Sequence, residues 1–441
     1  MQISHRPEEK IPGDSVKLSK RRKSLLQENK REDNMQIITP GDKKFESLVN
    51  RGGQGKARLQ KKVAHILEKV REEGDPALLR FTSKFDKVVM TRKDLRVTEA
   101  EISGAYQDIK PEIVNTLKEI INNINKFYTN QVPRSWSMKH ESGIELGEKF
   151  APIEKVGVYV PSGTVPLVSS VYMTVLPAKI AGVKKIVMAS PPNKYKSIDP
   201  HILVVANLLK VDEIYKVGGA QAIAALAFGT KTVPKVDKIV GPGNEYVTEA
   251  KRQVFGYCDI DMLAGPSEVL IIANHHANIE YLKKDLQSQA EHHKGLSILV
   301  TPSKKVFNAL CDDSDINGYI IKVKNLDEAA EVSNKIAPEH LQLMVKSPKR
   351  LLRKITNAGA VLLGQYTPVA IGDYIAGPSH VLPTGGTARY SSGLNLRSFI
   401  KSSHIISYSR KALSSSASWV RELTELEKLE KHWESVKERC E

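Results

Sequence analysis

The chain has 441 residues and a mass of 49.0 kDa, enough for two or three domains with sizeable cores. Its 41% hydrophobic and 26% charged content excludes global disorder and collagen-like repeats. A formal net charge of +16 raises nucleic acid as a partner. The excess is spread along the chain, with no Arg-rich recognition helix and no interleaved basic and aromatic stripe. Nucleic-acid binding is therefore not expected, and acidic small substrates account for the charge equally well. The longest apolar runs, such as Ala222–Phe228, fall short of the ~18–20 residues of a membrane-spanning helix, so a soluble protein is expected. Cys258, Cys311 and Cys440 lie far apart without CxxC spacing, which points to ordinary thiols in a reducing cytoplasm.

Residues 1–34 carry the basic run Lys20-Arg21-Arg22-Lys23 and little apolar periodicity, and read as a disordered basic extension ahead of Met35. Leu59, Val63, Ile66, Leu67 and Val70 recur at helical spacing over 57–80, and a second helix is expected over Ile102–Phe127. Near residue 150 the texture changes. Val156–Val160 reads as a buried strand followed by the turn Pro161-Ser162-Gly163, and a helix is expected over Met173–Ala181. Strands at 185–189, 213–217 and 238–240 then alternate with helices at Ile202–Leu209 and Ala220–Ala227, the pattern of βαβ units on a parallel sheet. A second such series follows residue 267: a strand over Val269–Ala273, a helix over Ile279–His292, and strands at 297–301, 341–345 and 360–363. A polar, Ser-rich connection over Ser392–Ser418 leads into one terminal helix, Trp419–Arg439, with Leu423, Leu426, Leu429 and Trp433 as its apolar stripe.

The chain carries neither GxGxxG nor GxxxxGK[ST]. Its glycine clusters, Gly218-Gly219, Gly241-Pro242-Gly243, Gly265-Pro266 and Gly385-Gly386, are each plain turn material alone. Together on the carboxyl side of parallel strands they would let backbone amides approach a ligand. Gln289 and His292, three apart on one expected helix, have workable metal-ligand spacing, or else are a solvated helix end. Glu339-His340 pairs a carboxylic acid with an imidazole at a strand entrance, where they could act as water activator and base. Neighbours on an extended chain face opposite ways, so both reach one site only if Pro338 re-aims them. Asp373 and His380 stand in Gly/Pro loops, which hold both site residues and ordinary turn-formers.

These segments together resemble the histidinol dehydrogenase family. The resemblance runs from about Ile37 to His432 and includes VGVYVPSG, VGGAQAIAALAFGT, VGPGNEYVTEAKRQV, DMLAGPSEVLIIA, DLQSQAEHH, IAPEHLQL and GDYIAGPSHVLPTGGTAR. It implies an α/β fold of two Rossmann-like, incomplete dinucleotide-binding domains, one inserted in the other, with small helical or extended N- and C-terminal segments. The implied boundaries are 35–56 for the N-terminal segment, 57–158 with 268–394 for the catalytic domain, 159–267 for the inserted NAD-binding domain, and 395–441 for a C-terminal segment that reaches the partner of a homodimer. The implied activity is zinc-dependent oxidation of L-histidinol to L-histidine through the aldehyde, with two NAD. One zinc per subunit would be held by Gln289, His292, Asp373 and His432, all near the substrate. His340 would take the alcohol proton and Glu339 would activate water. Further substrate contacts carry over to Ser267, His380 and Glu427, and NAD contacts to Tyr159, Gln221 and Asn244. Two alternatives remain: another NAD- and zinc-dependent alcohol dehydrogenase of the same fold, such as one acting on a sulfonated diol, and nucleic-acid binding through the basic N-terminal segment.

Overall fold

The computed structural model describes residues 35–52, 57–162, 166–289, 291–292, 294–313 and 316–441. The expected extension 1–34 and Gly163 of the expected turn lie outside the described residues. In chain order the strands are β1 (Met35–Ile38), β2 (Trp136–Lys139), β3 (Ile144–Pro152), β4 (Lys155–Tyr159), β5 (Lys185–Ser190), β6 (Glu213–Lys216) and β7 (Lys238–Val240). Then come β8 (Asp259–Ile260), β9 (Glu268–Ala273), β10 (Leu296–Thr301), β11 (Gly318–Lys322), β12 (His340–Met344), β13 (Ala360–Leu363) and β14 (Ile400–Tyr408). The chain is a mixed α/β protein with parallel sheets, and it divides into two compact units.

Among the described residues the first unit comprises 35–52, 265–369 and 383–391. Among the described residues its strands lie in the order β1-β11-β10-β9-β12-β13, all parallel. Runs such as Val269-Leu270-Ile271-Ile272 are buried on both faces because helices cover both sides. Helix Leu326–Ile336 lies on one face with Leu341 and Leu343, and helix Ile279–Gln289 on the other with Met344. Residues 35–38, expected as part of a separate N-terminal segment, are the edge strand of this sheet.

The second unit comprises 54–264, 370–382 and 392–441. Its parallel sheet has the order β6-β5-β4-β7-β8, so the direction of winding reverses between β4 and β7. Residues 57–158, expected to join 268–394, cluster instead with 159–264. The reason is where their apolar faces go. Val63, Val70, Leu78 and Phe81 of helices Ala57–Glu73 and Asp75–Phe85 share a core with Val187 and Ile239. Leu117 and Ile124 of helix Pro111–Thr129 share another with Val158 and Met188 on the opposite face.

Several expected helices are broken, each by an identifiable residue. The helix over 57–80 turns at Gly74 (φ 65°), and the one over 102–127 stops before Pro111, which cannot continue a preceding helix. The terminal helix is two, Arg410–Glu427 and Glu430–Cys440, divided by the left-handed Lys428 (φ 59°). The Ser-rich connection before it contains β14, which pairs antiparallel with β3, while β3 pairs with β2.

Candidate functional site

Glu339 and His340 converge despite being neighbours. Helix Leu326–Ile336 ends at Ala337 in the left-handed region (φ 51°), and Pro338 leads into β12, so Glu339 stands just ahead of the strand and His340 opens it. The Glu339 Oε2 lies 3.5 Å from the His340 Nδ1, and both side chains are buried. The backbone of one residue, Glu268, holds the pair in place. The Glu268 N–H donates to Glu339 Oε2 at 2.7 Å, and the Glu268 carbonyl stands 3.2 Å from His340 Nδ1. A carbonyl only accepts, so this contact makes Nδ1 the protonated nitrogen and leaves the lone pair on Nε2. The Ser267 hydroxyl also donates to Glu339 Oε2, at 2.8 Å.

Behind this dyad lies an ion pair that the sequence reading missed. Arg51 meets Glu268 through two hydrogen bonds, at 2.7 and 2.5 Å, and also donates to the carbonyls of Leu48 and Ile336. Glu268 accepts a further bond from the Gly385 N–H at 3.0 Å. The available signal was a charged residue opening an otherwise apolar strand, which demands a partner once buried. Gln342 was missed too. It is fully buried on β12, two residues past His340, and donates to Asp285 at 2.9 Å, where burial raises the Asp285 carboxyl.

Gln289 is buried, and its amide nitrogen has no hydrogen-bond partner. The helix ends there, so His292 is not on the same helical face as expected. It lies in the following turn, exposed, with its N–H on the Gln289 carbonyl at 3.2 Å. The helix stops because Gly295 must pass close over the Gln289 carbonyl to enter β10, and a Cβ at Gly295 would collide with it. Gln289, His292, Ser267, Glu339 and His340 all belong to the first unit.

Asp373, His380, Glu427 and His432 belong to the second unit. The loop carrying Asp373 and His380 is pinned by side chains from two helices. Tyr172 donates to the Tyr374 carbonyl at 3.1 Å, the Ser379 N–H donates to the Tyr128 hydroxyl at 2.9 Å, and Asn123 bonds the Ile375 carbonyl. Burial pushes the Tyr128 hydroxyl up to about 12 and that of Tyr172 higher still. Glu427 ends helix Arg410–Glu427 and His432 lies on Glu430–Cys440; both are exposed.

Tyr159, Gln221 and Asn244 gather at the carboxyl ends of the five-stranded sheet, where open α/β sheets bind ligands. The Tyr159 hydroxyl accepts the Gly219 N–H at 3.0 Å, and its pKa is pushed up to about 12, chiefly by burial. The buried Gln221 has an amide nitrogen without a partner. Asn244 caps helix Glu245–Val254, accepting from Tyr246 and Val247. The glycine clusters do not all lie on this side, as expected. Gly218-Gly219 and Gly241-Pro242-Gly243 do, but Gly265-Pro266 precedes β9 and Gly385 bonds Glu268, both at the amino ends of the six-stranded sheet. The dyad is held by the backbone of Glu268, the residue where β9 begins.

A family model described as Histidinol dehydrogenase matches residues 49–440. The chain belongs to the histidinol dehydrogenase family. The histidinol dehydrogenase of Clostridium acetobutylicum is 45% identical over 92% of this chain and 99% of its own length. Histidinol dehydrogenase 2 of Trichormus variabilis is 46% identical over 86% of this chain and 91% of its own. The crystal structure of histidinol dehydrogenase from Elizabethkingia anophelis superposes with a TM-score of 0.86 at 36% identity, covering 92% of this chain and 98% of that one. Among the described residues no helix is long and apolar enough to cross a membrane.

Proposed function

We propose that this member of the family oxidises L-histidinol to L-histidine through the aldehyde, consuming two NAD, in the cytoplasm. The observation that carries this reading is the dyad: the backbone N–H and carbonyl of Glu268 hold a carboxylate and an imidazole within 3.5 Å of each other. Two oxidations at one carbon need a proton acceptor for the alcohol and an activator for the water that adds to the aldehyde. His340 Nε2 takes the hydroxyl proton, and Glu339 then draws a proton from water as it attacks the aldehyde carbon. Ser267 holds the Glu339 carboxylate toward the substrate.

The residues present suit a zinc ion. Gln289 would offer the carbonyl oxygen of a buried amide, and His292, Asp373 and His432 would complete a nitrogen and oxygen set without thiolate. Among the described residues of one chain, no three His, Cys, Asp or Glu side chains stand ready to hold a metal. Zinc, when bound, supplies a Lewis acid that orients the substrate nitrogens and the reacting carbon, and NAD, when bound, takes the hydride. Tyr159, Gln221 and Asn244 contact the dinucleotide at the winding reversal of the five-stranded sheet, and the two sheets are incomplete dinucleotide-binding domains. His380 and Glu427 complete the substrate pocket.

We infer a homodimer with shared sites. Helix Arg410–Glu427 leaves Trp419, Leu423 and Leu426 more than half exposed, and β14 leaves Ile406 71% exposed. An apolar face of this extent on a single chain marks a partner surface. The test is NADH formation with histidinol against other alcohols, including a sulfonated diol, before and after chelation. Two NADH per histidinol, lost on chelation and restored by zinc, is the expected result. Full turnover in protein shown metal-free by elemental analysis would overturn the zinc assignment.

A further inference from the structure

Asp86 caps the end of helix Asp75–Phe85 and takes no part in the mechanism above. Its carboxylate oxygen Oδ2 is buried and has no hydrogen-bond partner, and no cation among the described residues offsets that burial. Burial accordingly pushes its pKa up to about 6. A half-buried carboxylate with one oxygen buried and unpaired opposes folding, so its presence calls for a ligand that repays it.

Its surroundings indicate which. Tyr159, at the end of β4, reaches with its hydroxyl to Gly219 after β6, and therefore crosses the end of β5, which lies between them. The charge of Asp86 is felt at that hydroxyl. The helix bearing Asp86 packs against helix Gly219–Phe228, whose Gln221 has an unpartnered nitrogen, and Thr82, one turn before Asp86, has an unpartnered buried hydroxyl. In dinucleotide-binding sheets an acidic residue at the end of the second strand accepts the adenosine ribose hydroxyls. Here the second strand, β5, ends in Ser190-Pro191 and supplies no acid.

Resting on the NAD-dependent reading above, we propose that Asp86 accepts the adenosine ribose hydroxyls of the dinucleotide and rejects a 2′-phosphate, selecting NAD over NADP. The carboxylate that the sheet lacks comes from a helix packed outside it. A 2′-phosphate would bring a second anion against a half-buried first one, whereas a ribose diol brings the donor that Oδ2 lacks.

The test uses the full-length, zinc-loaded protein and direct binding by equilibrium dialysis, with NAD, NADP, ADP-ribose and nicotinamide mononucleotide as probes. In Asp86→Asn, NAD and ADP-ribose should bind about tenfold or more weakly, the mononucleotide should bind as before, and the preference for NAD over NADP should narrow. The ligand-free melting temperature should hold or rise, because an unpaired buried charge is gone. Asp86→Ser, small and neutral, should behave the same way and guards against a packing defect peculiar to Asn. NAD affinity within twofold of wild type in both variants would overturn the proposal. So would a lower melting temperature with all four probes weakened alike, which is the mark of a structural role. If the unaltered protein bound no NAD, the parent reading would fall and this one with it.

Discussion

Both members of the dyad hang from the backbone of Glu268: its N–H holds Glu339 and its carbonyl holds His340. Its own side chain is held by Arg51 in a buried, two-pronged pair. Breaking such a pair from one side leaves an uncompensated charge, so Arg51→Ala should cost about 3–5 kcal/mol, read as a lower midpoint in urea unfolding. Arg51→Lys should recover only part of this, since an ammonium cannot reproduce the fork. A midpoint unchanged in Arg51→Ala would show that water replaces the guanidinium at no cost. The dyad itself should separate by half-reaction. His340→Asn should slow alcohol oxidation, while Glu339→Gln should chiefly slow aldehyde oxidation, because only that step consumes water. Equal losses with histidinol and with the aldehyde as starting substrates would reject this division of labour.

Elements divide by how much of their pairing is local. The strands around Val156, Val187, Ile239, Ile271 and Leu299 were legible because continuous β-branched runs between turn signals admit little else. The β2-β3-β14 sheet was not. Its strands are largely exposed and mixed in polarity, and β14 meets a partner roughly 250 residues upstream, a pairing that no local pattern announces. The dyad was legible from adjacency, and its convergence was not, because it depends on a left-handed Ala337 where sequence offers no glycine. Residues 57–129 could be read as helices, but which sheet they cover is decided by tertiary packing alone. Asn244 offers a test at this scale, since it both caps its helix and is the proposed NAD contact. Asn244→Asp should keep the cap and lose NAD affinity, whereas Asn244→Ala should lose both, with about 1 kcal/mol of stability. Full NAD affinity in the Asp variant would reduce Asn244 to a capping role.

At the scale of the whole molecule, the exposed C-terminal helices set up a question of ownership: whose site does His432 complete? Two inactive variants, His340→Asn and His432→Ala, can be mixed and allowed to exchange subunits. If sites are shared, each mixed dimer has one doubly damaged site and one intact site, and recovered activity should approach roughly a quarter of wild type. No recovery, with exchange confirmed by differently tagged subunits, would mean that each chain serves itself. The chain path also has a temporal consequence. Among the described residues the edge strand β1 pairs with β11 alone, with Met35 beside Gly318. On a ribosome, that strand would emerge and wait for roughly 280 further residues, about a quarter of a minute to a minute of synthesis, before any partner exists. The five-stranded sheet of the second unit is complete in sequence by Ile260, well before β11 is made. The nascent chain thus carries an unmatched strand edge past a sheet that can already assemble, and β1 is among the last strands to settle.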